Sequence, residues 1–175
     1  FGAALEVKTA SGSQNLKGRF ASGTLRSASG DIEISQASFS EDLAMEAASG
    51  DLEISNVLAQ ELRLRSASGD VRMERVCAEI LDMESTSGDL DLEQVLSKEN
   101  FLCRTRSGDV VLKRCDGPHM EFTTISGDIS GSLLHGKQFS YQTVSGDMNL
   151  PGGTPQGTCN ISTVSGDADL EIEEE

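Results

Sequence analysis

Apolar and polar residues alternate in short runs, and the runs come in pairs. In residues 51–69, DLEISNVLAQELRLRSASG, Leu52 and Ile54 alternate with Glu53 and Ser55, then Leu62 and Leu64 alternate with Arg63 and Arg65. Period-two alternation places successive side chains on opposite faces, as in half-buried strands, and no helical period fits between the runs. Val57 and Leu58 lie between them and extend the apolar set. The same layout recurs along the chain. Leu52 aligns with Ile32, Val71, Leu90, Val110, Ile129 and Met148, and Ile54 with Ile34, Met73, Leu92, Leu112 and Leu150, Gly131 interrupting the second column. Leu62 aligns with Leu43, Leu81, Phe101, Met120, Phe139 and Cys159, and Leu64 with Leu25, Met45, Met83, Cys103, Phe122, Tyr141 and Ile161. These four columns are the expected core.

The tripeptide Ser-Gly-Asp closes each unit. It begins at Ser29, Ser49, Ser68, Ser87, Ser107, Ser126, Ser145 and Ser165, at spacings of 20, 19, 19, 20, 19, 19 and 20 residues. A unit this short cannot bury its own apolar face, so the repeats must stack. Columns that recur in every unit require in-register parallel stacking. The expected fold is all-β: a single-stranded parallel β-helix, or β-solenoid, of 8–9 coils of 19–20 residues and roughly 40 Å long. The right-handed preference of parallel crossovers sets its expected hand. The repeat runs through 1–175 and predicts a single domain. Residues 1–30 hold a degenerate first coil, in which Ser11-Gly12-Ser13 replaces the tripeptide and Gln14 the first apolar residue. Residues 167–175 hold a last strand and an acidic cap, Glu173-Glu174-Glu175, whose like charges would guard an open edge.

The formal net charge is -15, unevenly spread. Lys8, Lys17, Arg19 and Arg26 against Glu6 make residues 1–30 basic, and the remainder is strongly acidic. A nucleic-acid partner is disfavoured, since phosphates call for a basic stripe. The opposite charge of the two ends favours head-to-tail contact, while the acidic surface also serves solubility. No apolar run reaches membrane-spanning length, so this segment is expected to make no direct membrane insertion. Phe1 in place of an initiator methionine suggests a fragment of a longer chain.

Candidate chemistry changes this picture little. Asp31, Asp51, Asp70, Asp89, Asp109, Asp128, Asp147 and Asp167 are expected in one row, spaced by the strand repeat, where unit charges repel. Either turn amides and serine hydroxyls compensate them, which makes the row a structural turn column, or divalent cations sit between the coils; calcium needs more oxygens than one carboxylate per coil supplies. Cys115, Asp116, His119 and His135 suggest a soft metal site, but their spacing is not that of a zinc site. Cys77, Cys103, Cys115 and Cys159 fall in apolar columns and read as small buried hydrophobes, not a disulfide framework. No cofactor or metal is expected, and regular coils without long loops argue against an enzyme.

The outward positions discriminate more. Glu46, Arg65, Glu84 and Arg104 form one column of alternating sign that should fix register. Beyond the fifth coil the charges give way to Glu121, Ser140 and Asn160, then Thr123, Gln142 and Ser162, then Ile125, Val144 and Val164. The strip formed by Thr123, Ile125, Ser140, Gln142, Val144, Asn160, Ser162 and Val164 is the candidate surface for a protein or glycan partner or for self-association; the alternative is a solvent face of β-favouring residues.

The run Leu62-Arg63-Leu64-Arg65-Ser66-Ala67-Ser68-Gly69-Asp70-Val71-Arg72-Met73 resembles the repeat of the bacterial adhesin-type domain family, and the resemblance covers almost the whole chain. It implies a β-helical domain without established biochemical function, named by analogy, encoded in many bacteria near envelope-stress or membrane components. It implies no catalytic residues. The expected protein is therefore a noncatalytic binding or scaffolding module of the bacterial cell envelope or cytoplasm. The alternatives are a cytoplasmic, self-associating stress-response scaffold and a carbohydrate-active enzyme of the β-helix type, which would show two carboxylates in a cleft.

Overall fold

The computed structural model describes residues 2–173, and among them there is no helix. The strands are β1 (Leu5–Ser11), β2 (Gln14–Phe20), β3 (Gly23–Ser29), β4 (Ile32–Phe39), β5 (Asp42–Ser49), β6 (Leu52–Ser68), β7 (Val71–Ser87), β8 (Leu90–Ser107), β9 (Val110–Cys115), β10 (His119–Ser126), β11 (Ile129–Leu133), β12 (Gln138–Gln142), β13 (Met148–Asn149), β14 (Thr158–Ser165) and β15 (Ala168–Ile172). Every strand pairing is parallel and the strands form one sheet wound on itself, a β-solenoid of about nine turns. β6, β7 and β8 each run almost the whole way round a rung.

The aligned columns pack as the alternation requires. Ile32, Leu52, Val71, Leu90, Val110 and Ile129 are buried in one column, and Leu43, Leu62, Leu81, Phe101 and Met120 in another. The degenerate first coil is a full rung. Its Gln14 lies opposite Ile32 and is buried, with Nε2 donating to Thr9 Oγ1 at 2.7 Å and to the Arg26 carbonyl at 3.1 Å, which satisfies the amide donor that replaces an apolar side chain.

The Ser-Gly-Asp turn is a ladder, and each of its residues bonds a neighbouring rung. The backbone N–H of Asp51, Asp70, Asp89, Asp109 and Asp128 donates to Oδ1 of the aspartate one rung earlier at 2.9–3.0 Å. The serine hydroxyl reaches back the same way, as from Ser68 to the Ala48 carbonyl at 3.2 Å. Gly69 has φ of 122°, and a Cβ there would strike the Gly50 carbonyl oxygen. The second corner has no sequence signature. Gln36, Asn56, Arg75, Gln94 and Arg114, each five residues after an aspartate, have φ of 52–56°. Left-handed backbone at a non-glycine residue costs of order 1 kcal/mol, and the stacked ladders on either side hold it.

The order of the last rungs departs from the expected sequential stacking. β10 pairs β14, and β12 lies on the far side of β14; likewise β11 pairs β15, and β13 lies beyond it. Rung 158–173 is thus inserted between rungs 119–133 and 138–149. Residues 134–137 climb two rung spacings, roughly 10 Å, and residues 150–157 return. Met148 pairs Ala168 and Asn149 pairs Asp169, and pairing on this rung stops there, two residues before Pro151, which has no N–H to continue the ladder.

Three expectations are corrected. Tyr141, placed in a core column, is 60% exposed, and Phe139, Met148 and Leu150 are half-buried, because their rung is the outermost. Cys77 is expected as a small buried hydrophobe, but its column faces outward, leaving Cys77 half-buried and its neighbour Leu58 58% exposed. Glu173 does not cap the rod. It lies on the rung next to the outermost, where its N–H donates inward to the Leu133 carbonyl and Ser132 Oγ donates to its carboxylate at 3.0 Å. Glu174 and Glu175, the rest of the expected cap, lie outside the described residues.

Candidate interaction surface

The inserted rung redraws the neutral strip without dispersing it. Thr123 pairs Ser162, which pairs Gln142, and Glu121 pairs Asn160, which pairs Ser140. In the third column Ile125 precedes Ser126, Val164 precedes Ser165 and Val144 precedes Ser145, and those serines stack in the same order. All eight candidate residues therefore share three adjacent rungs. Ile125, Val164 and Val144 are 47%, 48% and 81% exposed. The same column on earlier rungs carries Ala48, Ala67, Thr86 and, on the rung beside Ile125, Arg106. A shallow depression lined by Thr123, Tyr141, Gln142, Asn160 and Ser162 runs beside it.

The strip ends where the charge ladder begins. Arg26 meets Glu46 at 3.3 Å, Arg65 meets Glu84 at 3.6 Å, and Arg104 reaches Glu121 at 3.8 Å and Asp82 at 4.0 Å. These side chains are between 35% and 71% exposed, so each pair contributes a few tenths of a kcal/mol.

The aspartate row is occupied by backbone. Asp128 Oδ1 accepts from Asp167, and Asp167 Oδ1 accepts from Asp147, both at 2.8 Å, so the ladder follows the permuted order. Asp31, Asp51, Asp70, Asp89, Asp109, Asp128 and Asp167 thus each accept an amide from the next rung.

The residues considered for a soft metal site separate. Cys115 is buried, its Sγ donating to the Leu92 carbonyl at 3.2 Å, and His119 Nδ1 lies 3.1 Å from Thr158 Oγ1. His135 does meet Asp116, at 2.5 Å, and Lys137 contacts the other oxygen of that carboxylate at 2.5 Å. Among the described residues no group of three or more His, Cys, Asp and Glu is placed to hold a metal ion. Lys137 is buried and also donates to the Gln156 carbonyl at 3.5 Å, so this node ties the outgoing crossover to the returning one. Burial raises the thiols of Cys103 and Cys159 to about 12 and that of Cys115 to about 11.

One surface escaped the sequence reading. Leu58, Cys77 and Leu96 stack in one outward column, and Cys77 and Leu96 line an apolar depression with Leu134, Arg75 and Arg114 on another side of the rod. Its signal was the consecutive pair Val57-Leu58, in which period-two alternation allows only one side chain inward.

The model of the family described as Toastrack DUF4097 matches residues 17–99 and 77–175. No curated protein and no solved structure matches the chain. The chain belongs to the Toastrack DUF4097 family.

Proposed function

From membership of a family that carries a fold and no assigned reaction, we propose that this protein is a noncatalytic binding or scaffolding module whose working surface is the neutral strip on its last three rungs. The carrying observation is the exposure of Ile125, Val164 and Val144 side by side, on rungs where the guarding charges of the earlier coils stop. Contiguous exposed apolar surface rimmed by polar groups suits a protein partner, and Thr123, Gln142, Asn160 and Ser162 supply the hydrogen-bonding rim. The resemblance to bacterial adhesin-type domains extends the reading to an envelope protein or glycan as the partner, with a cytoplasmic scaffold as the other setting. The noncatalytic part is supported by the one strong departure from the repeat. There His135, Asp116 and Lys137 are engaged with one another and tie two crossovers together, in place of a cleft with paired carboxylates.

The test is a triple variant, Thr123→Lys, Gln142→Lys and Val144→Lys, whose side chains point outward. Binding of labelled protein to isolated bacterial envelopes and to a glycan array, and its mass in sedimentation, are compared with the parent. Loss of binding or of self-association at an unchanged melting temperature is expected. Equal binding and equal mass would overturn the reading.

A further inference from the structure

We propose that the two ends of the rod stack on each other, Ser145-Gly146-Asp147 of one copy against Ser11-Gly12-Ser13 of the next, so that the protein assembles head to tail. This deepens the scaffolding reading and rests on it, but it uses the ends of the rod and not the lateral strip.

The turn ladder has a direction. Each aspartate offers its carboxylate to the amide of the following rung, and each serine hydroxyl reaches back to a carbonyl of the preceding one. Asp147 stands on the outermost rung. Its N–H is used by Asp167, yet among the described residues no amide lies beyond it to meet its own carboxylate. The first rung presents the complement. Ser11-Gly12-Ser13 keeps the turn geometry, with Gly12 at φ 111°, and among the described residues nothing lies within 4 Å of where its Cβ would be, whereas the glycine of every Ser-Gly-Asp turn packs on the turn glycine of a neighbouring rung. Stacking the two ends in the register of every other rung lets the Ser13 N–H donate to Asp147 and the Ser11 hydroxyl donate to the Val144 carbonyl.

The same register matches the open columns. Leu5 and Val7 stand in the columns of Phe139 and Tyr141, Leu16 in that of Leu150, and Gln14 in that of Met148. Three of the four are apolar on apolar, and Phe139, Met148, Leu150, Val7 and Leu16 are the half-buried residues that a further rung would cover. Charge agrees. Lys8, Lys17 and Arg19 outweigh Glu6 on the first rung, while the last two rungs carry Asp147, Asp167, Asp169, Glu171 and Glu173 and no lysine or arginine within 138–149 or 158–173. The outer rung also lacks the usual guards of an exposed edge: between Gln138 and Asn149 the only charged residue is Asp147 and there is no proline. A contact between unlike ends does not close on itself, so the product is a linear oligomer.

Asp147→Arg tests this, because it spares the backbone N–H that Asp167 accepts and turns an attraction into repulsion. In sedimentation velocity at low salt the parent is expected to gain mass as concentration rises, whereas Asp147→Arg stays at the 18.6 kDa of one chain with an unchanged melting temperature. A substoichiometric amount of Asp147→Arg, whose first rung is intact, should shorten parental oligomers by terminating them. A second variant, Thr123→Lys with Ile125→Lys, lies two rungs from the end and should leave end-to-end growth unchanged. A parent that remains monomeric at every concentration overturns the proposal. So does an Asp147→Arg protein that associates like the parent. Association lost only in the Thr123→Lys, Ile125→Lys protein overturns it as well, and supports the lateral strip instead.

Discussion

One carboxylate oxygen of each Ser-Gly-Asp aspartate from Asp31 to Asp128, and of Asp167, accepts a backbone amide of the next rung, so the row serves the turn ladder; among the described residues Asp147, on the outermost rung, has no such amide. The cysteines divide by the same logic of direction. Cys103, Cys115 and Cys159 point inward and are buried, and desolvation holds their thiols at about 12, 11 and 12, so that roughly one in a thousand or fewer is a thiolate at pH 8. Cys77 stands in the outward column of Leu58 and Leu96. Iodoacetamide at pH 8 is therefore expected to modify one thiol of the folded protein, Cys77, and four after denaturation; mass spectrometry counts them, and rapid fourfold labelling of the native chain would contradict the burial. The linkage has a definite sign. Thiols with a folded pKa raised above the ordinary 9.0 stabilise the fold fully below that pH, and the contribution is lost as pH rises from about 9 through 11–12. The sequence marked all four cysteines as apolar substitutes, and missed Cys77 because Val57-Leu58 and Val76-Cys77 place two apolar residues where only one can face the core.

The strands hold register through cross-rung pairs, and the outward column Arg26, Glu46, Arg65, Glu84, Arg104 is the clearest. Arg65 stands between Glu46 and Glu84, so Arg65→Glu stacks three carboxylates in succession. The side chains are largely exposed, and the expected loss is about 1 kcal/mol or less, read as a fall in melting temperature at low ionic strength that shrinks as salt screens the column. An unchanged melting temperature at low salt would show that the column plays no part in stability. Most of this scale was legible in the sequence, since a period of 19–20 residues assigns every side chain a direction once the strands are placed. What stayed hidden was the left-handed corner at Gln36, Asn56, Arg75, Gln94 and Arg114, where five residues of three types share one backbone conformation. Stacking imposes that conformation, and only Asn56 favours it by itself.

At the scale of the whole molecule, the spacing of the tripeptide is blind to the order in which rungs stack. Ser126, Ser145 and Ser165 keep the 19- and 20-residue intervals, yet the rung of Ser165 lies between the other two. A hint was present in composition: the three prolines, Pro118, Pro151 and Pro155, all fall in this part of the chain, with Gly131, Gly136, Gly152 and Gly153 around them. The permutation matters for both proposals, because it makes residues 138–149 the exposed end and brings Val164 between Ile125 and Val144. It is open to a direct test at the outward column Thr123, Ser162, Gln142. Neighbouring rungs place Cα atoms about 4.8 Å apart, within disulfide reach, while rungs two apart stand at roughly 10 Å, beyond the ~7 Å limit. The double variants Thr123→Cys with Ser162→Cys and Ser162→Cys with Gln142→Cys are therefore expected to close a disulfide under mild oxidation, and Thr123→Cys with Gln142→Cys is expected to keep two free thiols. Sequential stacking would exchange the outcomes for the first and last pairs, so the pair that cross-links in non-reducing mass analysis decides which rung is outermost.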